Sequence, residues 1–224
     1  GLLSGGLITL ASGQVEASSP FESPAQIEVT QDRAFVMFPR KIIFSVKVES
    51  AAEINDVILE YGVVRLTCGE VIAKAFPPFE PSSTVEAKWT WEMKKSGSLP
   101  PGATIWWRWR IVDVDGDELL TDRQTTTWLD ESHTWQTISA DSIRLHWYEG
   151  DQAFAEELHA AAVDALVYLE QYTGLTPDDA IDLYIYASAA DLREAVYYEP
   201  GWIGGQAYAD FNTVIIGISP QNMA

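Results

Sequence analysis

The sequence predicts two parts in series: an antiparallel β-sandwich and, behind it, a small α/β unit built as strand, helix, strand, helix and hairpin. Three observations carry this reading. From Ala25 to Trp128, short runs alternate apolar and polar residues, the period of a half-buried strand. Those runs are punctuated by Phe38-Pro39, Pro77-Pro78, Glu80-Pro81, Leu99-Pro100-Pro101-Gly102 and Asp115-Gly116. Past His133 the apolar period lengthens to three and four residues, the period of a helix.

Seven strands are expected in the first part: 25–30, 41–50, 54–64, 70–76, 84–93, 104–114 and 118–128. In KIIFSVKVES, Phe44, Val46 and Val48 fall on one face, with Ile43, Ser45 and Lys47 on the other. Short strands of this number and spacing make a sandwich. The stretch TIWWRWRIVDVDGDELLTD, an aromatic strand running into an Asp-Gly turn and a return strand, resembles a fibronectin type III or immunoglobulin-like domain. In the second part, 142–150 reads as a strand and 151–174 as a helix. The helix has Asp151 as N-cap, Gly174 beyond its end and Pro177 to stop it. Phe154, Leu158, Ala161, Ala162, Ala165, Leu169 and Tyr172 form its expected apolar face. Residues 181–187 are a strand, and 188–196 a short helix with Ser188 and Asp191 spaced as a capping box. Residues 205–219 are a hairpin. The expected division is an arm or residual signal over 1–22, the sandwich over 23–130, a linker over 131–141 and the α/β unit over 142–224.

Fourteen Lys and Arg against 33 Asp and Glu give a net charge of −19, which repels nucleic acid and anionic membrane surfaces. The opening LLSGGLITLA is too short to span a bilayer. It fits the tail of a secretory signal, so export to the cell envelope or the extracellular space is expected. Cys68 stands alone, which excludes an intrachain disulfide and a cysteine-based zinc site. It reads as a small hydrophobe in or beside a strand.

His133, His146 and His159 include no pair spaced to bind zinc from one helix and read as solvated or hydrogen-bonded. VDVDGDEL lacks the spacing of an EF-hand loop and reads as a hairpin turn at Asp115-Gly116, its carboxylates in water. In IWWRWR, Ile105, Trp107 and Trp109 are expected in the core, with arginine stems covering the outer aromatics. Glu156-Glu157 and Asp178-Asp179 read as a solvated helix face and a loop. No nucleophile elbow, phosphate-binding loop or dinucleotide fingerprint occurs.

Three segments in order, IRLHWYEGDQAFAEELHAAAVDALVYLEQYTGL, IDLYIYASAADLREAV and GWIGGQAYADFNTVIIGISP, resemble the front part of the peptidase MA-like domain. This is a gluzincin-type zinc metallopeptidase domain found in exported bacterial proteins, often behind a β-sandwich. The resemblance implies that the last strand leads into a helix bearing HExxH. There two histidines bind zinc, the glutamate activates the bound water, and a later glutamate completes the ligand set. These 224 residues contain no HExxH, so zinc is expected only in a longer form and no catalytic or metal residue is assigned here. The resemblance also implies that an edge strand, Gly204, Gly205, Gln206, Ala207 and Tyr208, pairs with extended protein or peptide substrate; an ordinary start to the hairpin explains the same residues.

A chain cut before its zinc helix should leave the face of Val214, Ile216 and Ile218 under-buried, or covered by a neighbouring molecule. The expected function is therefore the N-terminal portion of an exported zinc metallopeptidase. The alternatives are a non-enzymatic binding or scaffold protein that uses exposed tryptophans of the sandwich, and a degenerate homologue without zinc.

Overall fold

The computed structural model describes residues 27–65, 71–97, 99–174, 176–196 and 204–220. The expectations for the leading arm and for Cys68 lie outside these. The chain is an antiparallel β-sandwich followed by a small α/β unit.

One sandwich sheet has the order β1 (Glu28–Met37), β2 (Lys41–Glu49), β5 (Thr84–Glu92). The other runs β4 (Ala73–Ala75), β3 (Ile54–Val63), β6 (Ala103–Asp113), β7 (Glu118–Leu120), with β8 (Gln124–Trp128) also paired to β6. The first strand reaches seven residues past its expected end, because RAFVM continues the ladder against Lys41–Ser45. The strand expected over 118–128 is two strands, separated where Thr121 turns its hydroxyl and its N–H onto the backbone of Trp109. Residues Met93–Ser96 form a short helix, α1, where the fifth strand was expected to end.

The core follows the alternation. Ile42, Phe44, Val46 and Val48 of β2 meet Ile54, Val57 and Leu59 of β3 and Ile105, Trp107, Trp109 and Ile111 of β6, all buried. The indole N–H groups of Trp107 and Trp109 both donate to Asp32 Oδ1, at 2.7 and 3.0 Å, so one carboxylate satisfies two buried donors. On the outer face Trp106 is buried under the guanidinium of Arg123, 4.0 Å from its ring. Arg108 instead binds buried Glu60, as does Lys74; these partners hold the Glu60 carboxyl below the usual range against the opposing effect of burial. The Asp-Gly turn differs from expectation in one respect. Asp113 is buried, not in water, and its Oδ1 accepts from the N–H groups of Asp115 and Asp117 to close the loop.

The α/β unit is one five-stranded sheet in the order β12 (Gly205–Tyr208), β13 (Thr213–Gly217), β11 (Ile181–Tyr186), β10 (Ile143–Trp147), β9 (Gln136–Ala140). The three central strands are parallel and the two edges antiparallel. Strand β9 lies in the stretch expected as linker. A two-residue turn, Asp141 and Ser142, joins it to β10 with positive φ at both positions. The His159 ring donates from Nε2 to the carbonyls of Ala140 (3.2 Å) and Ile143 (3.4 Å), pinning that turn.

Helix α2 (Gln152–Thr173) crosses one face of the sheet, capped by Asp151, which accepts from the Phe154 N–H. Its buried side is turned from the expected one: Phe154, Ala155 and His159 are buried, with Leu158, Ala162, Val163 and Leu166 partly so. Ala161, Ala165, Leu169 and Tyr172 are exposed. Helix α3 (Ala189–Ala195) packs on the opposite face with Tyr184, Tyr186 and Ile215. That face also meets the sandwich. Phe38 belongs to both clusters, Phe211 packs into the sandwich core, and the Tyr184 hydroxyl occupies the space a Cβ at Gly102 would need. Among the described residues no helix is long and apolar enough to cross a membrane.

Candidate functional site

Among the described residues the sheet has one helix on each face, and α2 covers only part of its own. It packs mainly on β10 and β9, and no described helix lies over the β13–β12 side. In strand β12 the register pairs Gly205 with Ile216 and Ala207 with Val214, so these four residues share one face. Gly205 and Ala207 are exposed there; Val214, Ile216 and Ile218 are half-buried. The α2 side of the sheet is thus an apolar floor walled by one helix. A groove of about 570 Å³ runs along that wall, lined by Leu166, Leu169, Thr173, Pro177, Ile181 and Asn212.

Gln206 and Tyr208 alternate onto the other face and are half-buried. Gly204 sits just before the strand, its carbonyl accepting from the Gly217 N–H at 3.1 Å. Glycine at 205 has a local reason: a Cβ there would stand 3.0 Å from the Ile215 carbonyl of the strand's own partner. No described strand pairs with the outer edge of β12.

A second cluster lies on the opposite face, where sequence reasoning assigned nothing. Arg144 holds Asp182 through both oxygens, Nε to Oδ1 at 2.8 Å and a terminal nitrogen to Oδ2 at 2.6 Å. His146 Nε2 lies 2.9 Å from Asp182 Oδ1, and its Nδ1 2.9 Å from the Thr137 hydroxyl. Burial raises the Asp182 carboxyl, but His146 and Arg144 outweigh it and hold it below the usual range. The ionised carboxylate can only accept, so Nε2 carries a hydrogen and donates it to Asp182. His146 also stacks on Tyr184, ring centres 4.3 Å apart. The alternation of RLHW and IDLYIY signals that Arg144, His146 and Asp182 leave the α2 side; only the parallel register places them together.

His133 stacks on Tyr148 with ring centres 3.8 Å apart, and burial pushes the Tyr148 hydroxyl up to about 12. Each histidine is thus committed to its own neighbours. Among the described residues no group of three His, Cys, Asp or Glu side chains fits a metal ion.

The comparisons bear on the helix and the open half of the sheet. Residues 161–224 match the Peptidase MA superfamily. The matched segment runs from the middle of α2 through β13, so it includes the edge strand and the floor beside it, and this part of the chain is similar to that superfamily. No curated protein matches the chain.

Among solved structures, wild-type OgpA from Akkermansia muciniphila is similar at a TM-score of 0.36 and 11% identity, over 48% of this chain and 29% of that one. Catalytically inactive OgpA in complex with an O-glycopeptide substrate, glycodrosocin, gives 0.36 and 11% over 48% and 30%. A bromine derivative of BhCBM56 gives 0.29 and 11% over 43% and 88%. These likenesses are too slight to rest anything on. The chain spans less than a third of the length of OgpA.

Proposed function

We propose that this chain is the N-terminal portion of an exported zinc metallopeptidase of gluzincin type. The intact protein cleaves peptide bonds with zinc-activated water, and the 224 residues alone are inactive. The observation that carries the reading is the family match over 161–224. The open β13–β12 floor supports it: Val214, Ile216 and Ile218 are the half-buried face expected of a sheet awaiting a further helix. Strand β12, with Gly204 just before it and Gly205, Gln206, Ala207 and Tyr208 along it, is an end strand of the sheet and the place where an extended peptide substrate adds by backbone hydrogen bonds. Among the described residues no group of three His, Cys, Asp or Glu side chains is placed to hold a metal ion, and no catalytic step is assigned to any of them.

The binding-protein alternative draws no support from the sandwich. Of the eight described tryptophans, six of them in the sandwich, none is exposed.

The test is caseinolytic activity and zinc content, measured on the 224-residue chain and on the product extended through its natural C-terminal continuation. The extended product is expected to hold zinc and to cleave casein, and to lose cleavage but keep zinc when the HExxH glutamate becomes Gln. A continuation without HExxH, or cleavage by the 224 residues themselves, overturns the proposal.

A further inference from the structure

Helix α2 carries a second apolar stripe that its own sheet leaves bare. Ala161, Ala165, Tyr168 and Tyr172 recur at alternating four- and three-residue steps, with Leu169 beside them, and all are exposed. Tyr172 is 72%, Tyr168 58% and Leu169 52% exposed. The two tyrosine rings lie 4.3 Å apart and present one aromatic surface. A four–three repeat is the seam along which one helix packs on another, and the two alanines let a second backbone come close.

The margins of the stripe show what kind of helix fits. The helix holds Glu156, Glu157, Asp164 and Glu170 and no Lys or Arg. Glu157 and Asp164, seven residues apart, line one margin. Asp178 and Asp179 line the groove that Leu169 enters on the other. A second copy is a poor occupant, since self-pairing sets these acids against each other in a chain of net charge −19. A helix with an apolar face and Lys or Arg along its flanks meets the stripe with every charge opposed, and its cations can also sit on the tyrosine rings.

We propose that the Ala161–Ala165–Tyr168–Tyr172 stripe is a docking surface for a basic amphipathic helix of a protein partner. The inference stands apart from the peptidase reading, because it needs neither zinc nor the β12 edge.

The probe is a synthetic fluorescent helix of leucine and lysine, with a glutamate-for-lysine version as control, titrated into the 224-residue chain and followed by anisotropy. The lysine helix is expected to bind, more weakly as salt rises, and the glutamate helix not to bind. The double variant Tyr168→Ala/Tyr172→Ala should bind about tenfold more weakly or worse, with unchanged far-ultraviolet dichroism, because both rings are exposed. Glu157→Gln/Asp164→Asn should weaken binding and flatten its salt dependence. Unchanged affinity in the tyrosine variant would mean attraction to general negative charge and would overturn the proposal. So would binding of the glutamate helix, or sedimentation showing a dimer that the tyrosine variant abolishes.

Discussion

The two parts of the molecule bury their apolar residues to different degrees. In the sandwich, the inner residues of β2, β3 and β6 are sealed between the sheets and the outward Trp106 is covered, while Phe35 of β1 and Phe76 lie exposed outside that core. In the α/β unit, one face is closed by α3 and the sandwich, while the other is closed by α2 over β9 and β10 and left open over β13 and β12. The centre of the sandwich therefore meets its own packing demands. The α/β unit leans on the sandwich at one face, and at the other its described helix stops short of β13 and β12.

The largest expected effect lies in the sealed part. Trp109→Ala removes a fully buried indole and should cost about 3–5 kcal/mol in urea unfolding; a cost below about 1 kcal/mol would break the contrast between the two parts. Asp32→Ala should follow at about 2–3 kcal/mol, because two buried indole N–H groups lose their acceptor together. Trp107→Phe in the Asp32→Ala background should then cost less than in the wild type, a coupling that a double-mutant cycle reads directly.

Asp182→Asn tests the closed face of the α/β unit, at about 1–2 kcal/mol near neutral pH. The folded Asp182 carboxyl lies below its ordinary value, so its contribution is present above about pH 4 and fades as pH falls through the depressed value. The gap between wild type and variant should therefore be full at neutral pH and close in acid; a gap that widens in acid would contradict the assigned hydrogen bonds. On the open face, Ile216→Ala should cost only about 1 kcal/mol, since the side chain is half-buried. A loss of sandwich size there would mean the floor is sealed in solution. Smallest, Ser142→Gly should add about 0.5–1 kcal/mol by relieving a positive φ at the β9–β10 turn.

Most of the fold was legible. KIIFSVKVES and TIWWRWRIVDV each bury the face their alternation marks, because a strand has only two faces and one of them is apolar. Asp151 and Gly174 bounded α2 because capping is local chemistry. Strand β9 was missed, since QTISA has little apolar signal and is a strand only by pairing with β10. The buried face of α2 was placed too far round: an alanine-rich helix offers more than one apolar stripe, and only contact with the sheet selects between them.

The candidate site was legible as a segment and not as a surface. That Gly205–Tyr208 is a strand followed from its letters. That Gly205 and Ala207 face the open floor depended on register with β13. The cluster of Arg144, His146, Asp182 and Thr137 was out of reach, because its members lie up to 45 residues apart and meet only across three strands.

The sequence by itself determined most of the strands, the bounds of α2 and the acidity that limits partners, because each depends on neighbours along the chain. Only the tertiary structure decided which helix stripe is buried, which sheet face is left open and which polar groups share a carboxylate. Those depend on elements brought together across the fold, and no periodicity along one element specifies what its neighbour will present.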